Sequence, residues 1–176
     1  PFDMDAVDML DSMMPCFKIA SADITNIALV RKVAKQGKPV ILSTGASQLY
    51  EIENALQILE KETCPQITLL HCVLNYPTPA SHAQMNQMNI LKSTFGHRAS
   101  IGYSDHVKPE TDGTMPAVEM ATISGAVVLE KHFTYDKSLP GNDHYHAMNE
   151  QDLAKFVKKL SRYKEMAGSE SRDISL

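Results

Sequence analysis

Short apolar runs alternate along the chain with stretches in which apolar residues recur every three or four positions, the rhythm of buried strands and amphipathic helices. Ala6, Val7, Leu10 and Met13 mark a helix over Asp5 to Met13 that Pro15 stops. Phe17 to Ala20 read as a strand running into polar Ser21-Ala22-Asp23. A helix from about Asn26 to Gln36 follows, with Ile27, Val30, Val33 and Ala34 on one face and Gly37 as its stop. Pro39 to Leu42 form the next strand, ending in Ser43-Thr44-Gly45. Ser47 then caps a helix carrying Leu49, Ile52, Leu56 and Leu59. Ile67 to Cys72 and Ser100 to Tyr103 are strands, with a helix around Met85 to Phe95 between them. A helix near Met115 to Ile123 ends before Gly125, and Val127 to Phe133 make a fifth, buried strand. Asn149 caps a last helix showing Leu153, Phe156, Val157 and Leu160 on one side.

Strands alternating with helices call for a parallel sheet joined by right-handed crossovers. An open doubly wound sheet and part of a (β/α)8 barrel both fit. The first strand-to-helix turn lacks the glycine-rich dinucleotide fingerprint. Polar residues instead gather at the C-terminal end of every strand: Ser21/Asp23, Ser43/Thr44, His71, Ser104/Asp105/His106 and Glu130/His132. Barrel active sites assemble at that face, so a (β/α)8 TIM-barrel type is expected, with only the last five βα units present. Residues 1–168 form this partial barrel domain and residues 169–176 a polar tail. The opening Pro1-Phe2-Asp3, without an initiator methionine, suggests a processed chain or a fragment.

Strand alternation puts Glu130 and His132 on one face and Lys131 on the other. His106 and His132 end consecutive strands, where two neutral imidazoles can hold a divalent metal; buried hydrogen-bonded histidines are the alternative. Asp105 or Glu130 can add a carboxylate or orient a ligand. Lys18 either points into the barrel to hold a phosphate or carboxylate, or snorkels to water. Ser21, Ser43, Thr44 and Ser104 can donate to phosphate oxygens or simply cap turns. Asp143 fits a sugar hydroxyl or an Asx-turn. His82, His97, His144 and His146 read as solvated, and Cys72 as a buried structural thiol.

Composition narrows the partners. The net charge of −4 argues against non-specific binding to nucleic acid or acidic membranes. No apolar run approaches a membrane span. Three cysteines without paired spacing fit reduced thiols in a cytoplasmic protein.

Five motifs in order carry a resemblance: Lys18-Ile19-Ala20-Ser21, Val40 to Gly45, Leu70-His71-Cys72 with Tyr76-Pro77, Ile101 to His106, and Glu130-Lys131-His132-Phe133. Asp136 and Leu139-Pro140-Gly141 through Asp143 continue it. Together they resemble the N-acetylneuraminate (sialic acid) synthase family across nearly the whole chain. The resemblance implies a barrel enzyme condensing phosphoenolpyruvate with an N-acyl amino sugar such as N-acetylmannosamine, releasing phosphate. It implies Mn2+ or Mg2+ on His106 and His132, and phosphoenolpyruvate on Lys18, Ser21, Ser43 and Ser104. The sugar would meet Tyr76, Asp143 and Asp23, with Glu130 supporting the metal histidine. It also implies a homodimer in the full-length parent. The chain departs from the family at Ala22-Asp23, where a glutamate is common, and at Leu74, where a polar residue is common. The first three barrel strands, with a catalytic glutamate and a second lysine, are not in it. Two alternatives are an incomplete barrel that binds ligand or another subunit without turnover, and another phosphoenolpyruvate-using aldolase-like synthase.

Overall fold

A computed structural model describes residues 1–168. The polar tail expected at 169–176 lies outside the described residues. Helix α1 (Met4–Asp11) precedes strand β1 (Phe17–Ile19), and α2 (Ile27–Ala34) leads to β2 (Val40–Ser43). There follow α3 (Leu49–Lys61), β3 (Ile67–His71), α4 (Gln87–Phe95), β4 (Ser100–Asp105), α5 (Pro116–Ile123), β5 (Leu129–Lys131) and α6 (Glu150–Ala167). The strands lie side by side in chain order, all parallel. This is a half-barrel: five of the eight strands that close a (β/α)8 fold.

The register sorts the side chains. Ser43 lies opposite Leu70, Leu70 opposite Gly102, and Ser104 opposite Glu130, so one face carries the small and polar groups. The other face carries Phe17, Ile19, Leu42 and Leu69, all fully buried. Against it pack Leu29 and Val33 of α2, Ile52, Leu56 and Leu59 of α3, and Leu91 and Phe95 of α4. A smaller cluster of Met115, Val118 and Phe156 seats α6 on α5. Gly102 has no room for a side chain: a Cβ there would lie 2.4 Å from the Val128 carbonyl oxygen. Among the described residues no helix is long and apolar enough to cross a membrane.

Three local expectations change. The fifth strand is shorter and less buried than its apolar run suggests, with Val127 65 % and Phe133 56 % exposed. As an edge strand it pairs with β4 alone among the described residues, so its flanks lack cover. Strand β4 runs two residues further, taking in Ser104 and Asp105. The cap of α3 is Gln48 rather than Ser47, its backbone N–H donating to Glu51 Oε2 at 2.7 Å. Asn149 does cap α6, exchanging hydrogen bonds with Asp152 at 3.0 and 3.1 Å. After β5 the chain makes a long loop whose ends are tied. Met148 N donates to the His132 carbonyl at 2.9 Å, and Thr134 N to the Met148 carbonyl at 2.8 Å.

Candidate functional site

The polar face opens at its C-terminal end into a cavity of about 240 Å3. Lys18, Ser21, Ser43, Tyr76, Ser104, His106, Glu130 and His132 all line it. Lys18 therefore points into the barrel, flanked by Phe17 and Ile19 on the packed face. Its Nζ lies 3.5 Å from Glu130 Oε2, and the Ser104 hydroxyl donates to Glu130 Oε1 at 2.6 Å. An ammonium and a hydroxyl thus already converge on a carboxylate, the arrangement an anionic ligand needs. Glu130 lines the same cavity as His132, and its carboxylate is engaged by Ser104 and Lys18. The inward register of β5 aims it across at β4 and β1 rather than along its own strand.

His106 is buried, and its Nδ1 lies 2.7 Å from the Val73 carbonyl. A carbonyl only accepts, so Nδ1 carries the proton and Nε2 keeps its lone pair, the tautomer of a ligating imidazole. Burial also pushes the His106 pKa down, favouring the neutral ring. The His132 ring centre is 5.4 Å away, edge-on. Tyr76 lies 4.1 Å from the His106 ring and 5.8 Å from His132, covering the pair. These two rings, one with a free Nε2, lie side by side at the mouth of the cavity.

Other strand-end residues face away. His71 sits under the helices, where its Nε2–H donates to the Ala83 carbonyl at 2.8 Å and its ring stacks on Tyr103. Asp105 also turns outward, pairing with Lys131 Nζ at 2.8 Å and accepting from Tyr103 OH at 3.0 Å. Both follow from the period of two, which puts every second residue of a strand behind the sheet. Asp23 is half-buried in a 3-10 turn, Ser21–Asp23, and does not line the cavity. Cys72 is buried and its thiol pKa is raised by that burial, as an inert structural thiol requires.

The largest departure is His146. It was expected to be solvated, yet it is fully buried, and neither ring nitrogen has a hydrogen-bond partner among the described residues. His82 and His97 are exposed, and His144 is half-buried against the Thr134 hydroxyl at 2.8 Å. His146 lies in a 3-10 turn (His144–His146) directly after Asp143. In such a turn side chains three apart eclipse. The spacing Asp143-x-x-His146 was the signal that could have found it. Asp143 Oδ1 is 3.5 Å from His146 Nε2 and 3.7 Å from His132 Nδ1.

Comparison with known proteins matches this frame. The model of the NeuB family covers residues 1–172. An uncharacterized protein of Methanocaldococcus jannaschii is 44 % identical over 96 % of this chain and 48 % of its own length. The N,N'-diacetyllegionaminic acid synthase of Campylobacter jejuni is 39 % identical over 96 % of this chain and 49 % of its own length. A crystal structure of the N-acetylneuraminic acid synthetase of Leptospira borgpetersenii superposes with a TM-score of 0.87 at 37 % identity, over 98 % of this chain and 58 % of that one. The chain spans about half the length of the curated relatives it matches. With the family model spanning residues 1–172 and the described residues forming a half-barrel whose polar face gathers these side chains, the chain belongs to the NeuB family.

Proposed function

We propose that this chain carries the metal-binding half of a sialic acid synthase-type active site, which condenses phosphoenolpyruvate with an N-acyl amino sugar to give a nonulosonic acid and phosphate. The observation that supports it best is the convergence of Lys18 and Ser104 on one carboxylate beside His106 and His132. Lys18 and the hydroxyls of Ser21, Ser43 and Ser104 would hold the phosphate and carboxylate of phosphoenolpyruvate, fixing its enol carbon for attack. Tyr76 and Asp143 would meet the sugar from the loop side. Asp23 would reach only a sugar that extends past Ala22. His106 and His132 would hold Mn2+ or Mg2+, which supplies Lewis-acid polarisation of the sugar aldehyde. The enol carbon then attacks the aldehyde, water adds to the cationic carbon left behind, and phosphate departs. Glu130 must release Ser104 and Lys18 as the anion enters. The setting is cytoplasmic, where Cys16, Cys64 and Cys72 stay reduced, and the longer protein is a homodimer.

Phosphate release from phosphoenolpyruvate, N-acetylmannosamine and Mn2+ tests this in the protein that carries the chain. Turnover is expected to vanish in His132→Ala. Undiminished turnover in that variant overturns the metal role. A second reading rests on the half-length coverage and on β1 and β5 each pairing on one side only among the described residues. In it, the chain alone binds phosphoenolpyruvate without converting it. Product formation by residues 1–176 alone removes that reading.

A further inference from the structure

We infer that His146 and Asp143 join His132 in holding a divalent first-row transition cation, through His132 Nδ1, Asp143 Oδ1 and His146 Nε2. One donor atom from each of the three lies within 4.8 Å of the other two. The measured separations of 3.5 and 3.7 Å are long for hydrogen bonds but close to a coordination polyhedron. Metal–ligand bonds of roughly 2.1 Å place neighbouring donors roughly 3.0–3.4 Å apart. Rotations of His132 and of the exposed Asp143 side chain would have to draw the three donors, now within 4.8 Å of one another, to that spacing.

Burial gives the independent support. A fully buried imidazole with both nitrogens unpartnered forfeits its hydrogen bonds to water with nothing in return. A cation on Nε2 supplies the missing partner for that atom. The turn backbone holds the ring where it is: Ala147 N donates to the Asp143 carbonyl at 3.1 Å, fixing the two side chains on one side. The Tyr76 ring, 6.2 Å from His146 and 5.8 Å from His132, walls the seat from the cavity side.

Two imidazoles and one carboxylate on one side of a cation match the donor set of transition-metal sites with open positions, and disfavour Mg2+, which prefers oxygen and water. The seat differs from the His106–His132 pair in its donor set and does not rest on the condensation reading; a neutral imidazole has one lone-pair nitrogen, so His132 would serve this seat or the pair with His106, not both at once. Asp143 Oδ2 stays available for a sugar hydroxyl.

Titration of the 176-residue chain with Co2+, followed by visible absorption and calorimetry, tests the seat without any turnover. Asp143→Asn is the decisive variant, because its side chain is 62 % exposed and the fold does not lean on it. Asp143→Asn and His146→Ala are each expected to weaken Co2+ binding about tenfold or more and to change the absorption spectrum. Mg2+ binding is expected to be weaker than Co2+ binding in the unaltered chain. If Co2+ affinity and spectrum survive Asp143→Asn, or if the unaltered chain binds no Co2+, the seat is overturned. Cobalt binding by the chain together with no phosphate release by the longer protein that carries it would instead overturn only the proposed condensation.

Discussion

Glu130 occupies the donors that the proposed phosphoenolpyruvate site would use. Its carboxylate accepts from Ser104 at 2.6 Å and sits 3.5 Å from the Lys18 ammonium. An incoming phosphate competes with a charge already in place. Glu130→Gln removes that competitor while keeping the shape. We expect tighter phosphoenolpyruvate binding by calorimetry together with a lower kcat in the complete enzyme. Weaker binding would mean that Glu130 orders the pocket rather than blocking it. At this scale the sequence was readable wherever chemistry followed strand alternation: Lys18, Ser43, Ser104, His106, Glu130 and His132 do share one face. What alternation could not give was the partner of each group. The contacts of Glu130 with Ser104 and Lys18 could not be read from its own strand, because pairing runs between strands, through a register that a single strand does not show. His146 was missed for a related reason, since the burial of a loop residue depends on what folds over it.

Strand β5 is short, half-exposed and at an edge, which leaves its register weakly specified by apolar packing. Lys131 compensates. Its ammonium is 4 % exposed and pairs with Asp105, itself 1 % exposed, while also donating to the Val107 carbonyl at 2.6 Å. Asp105 accepts further from Tyr103 and from Val107 N at 2.9 Å. Lys131 sits between Glu130 and His132 in sequence and, with Asp105, on the opposite side of the sheet. Removing one partner strands a buried charge, at a cost of about 3–5 kcal/mol. Urea unfolding of Lys131→Met is expected to show a loss of that size, and adding Asp105→Leu to cost less than a second such loss. A change under about 1 kcal/mol would show the pair to be solvated. The sequence assigned Lys131 to the far face correctly. It overestimated the burial of the strand because Val127 and Phe133 look like core when neighbours are unknown.

Across the whole molecule, the alternation of strand and helix was legible almost end to end, since each helix shows its apolar stripe and each strand its short apolar run. Boundaries moved by one or two residues where caps and turns decide them, as at Gln48. Three buried histidines give the fold a common pH signature. Burial lowers the pKa of His71, His106 and His146 alike. The folded chain holds them neutral, whereas the unfolded chain protonates them below about pH 6.5. Stability is therefore full above about pH 6.5 and falls as the pH drops toward the lowered folded values. Thermal melts across that range are expected to show this slope, reduced in His71→Gln, and a flat profile would contradict it.

The tied loop after β5 reaches further than stability. Met148 is stitched to the carbonyl of His132, and Thr134 to the carbonyl of Met148, so both ends of residues 135–147 are pinned to the strand that carries His132. A pinned loop behaves as a cassette. Its closure is already made, and each doubling of its length adds only about 0.6 kcal/mol. Residues 135–142 can then be lengthened, shortened or exchanged while His132 stays where it is. A scaffold of this kind lets one segment be swapped to change what faces His132, leaving strands β1 to β4 untouched.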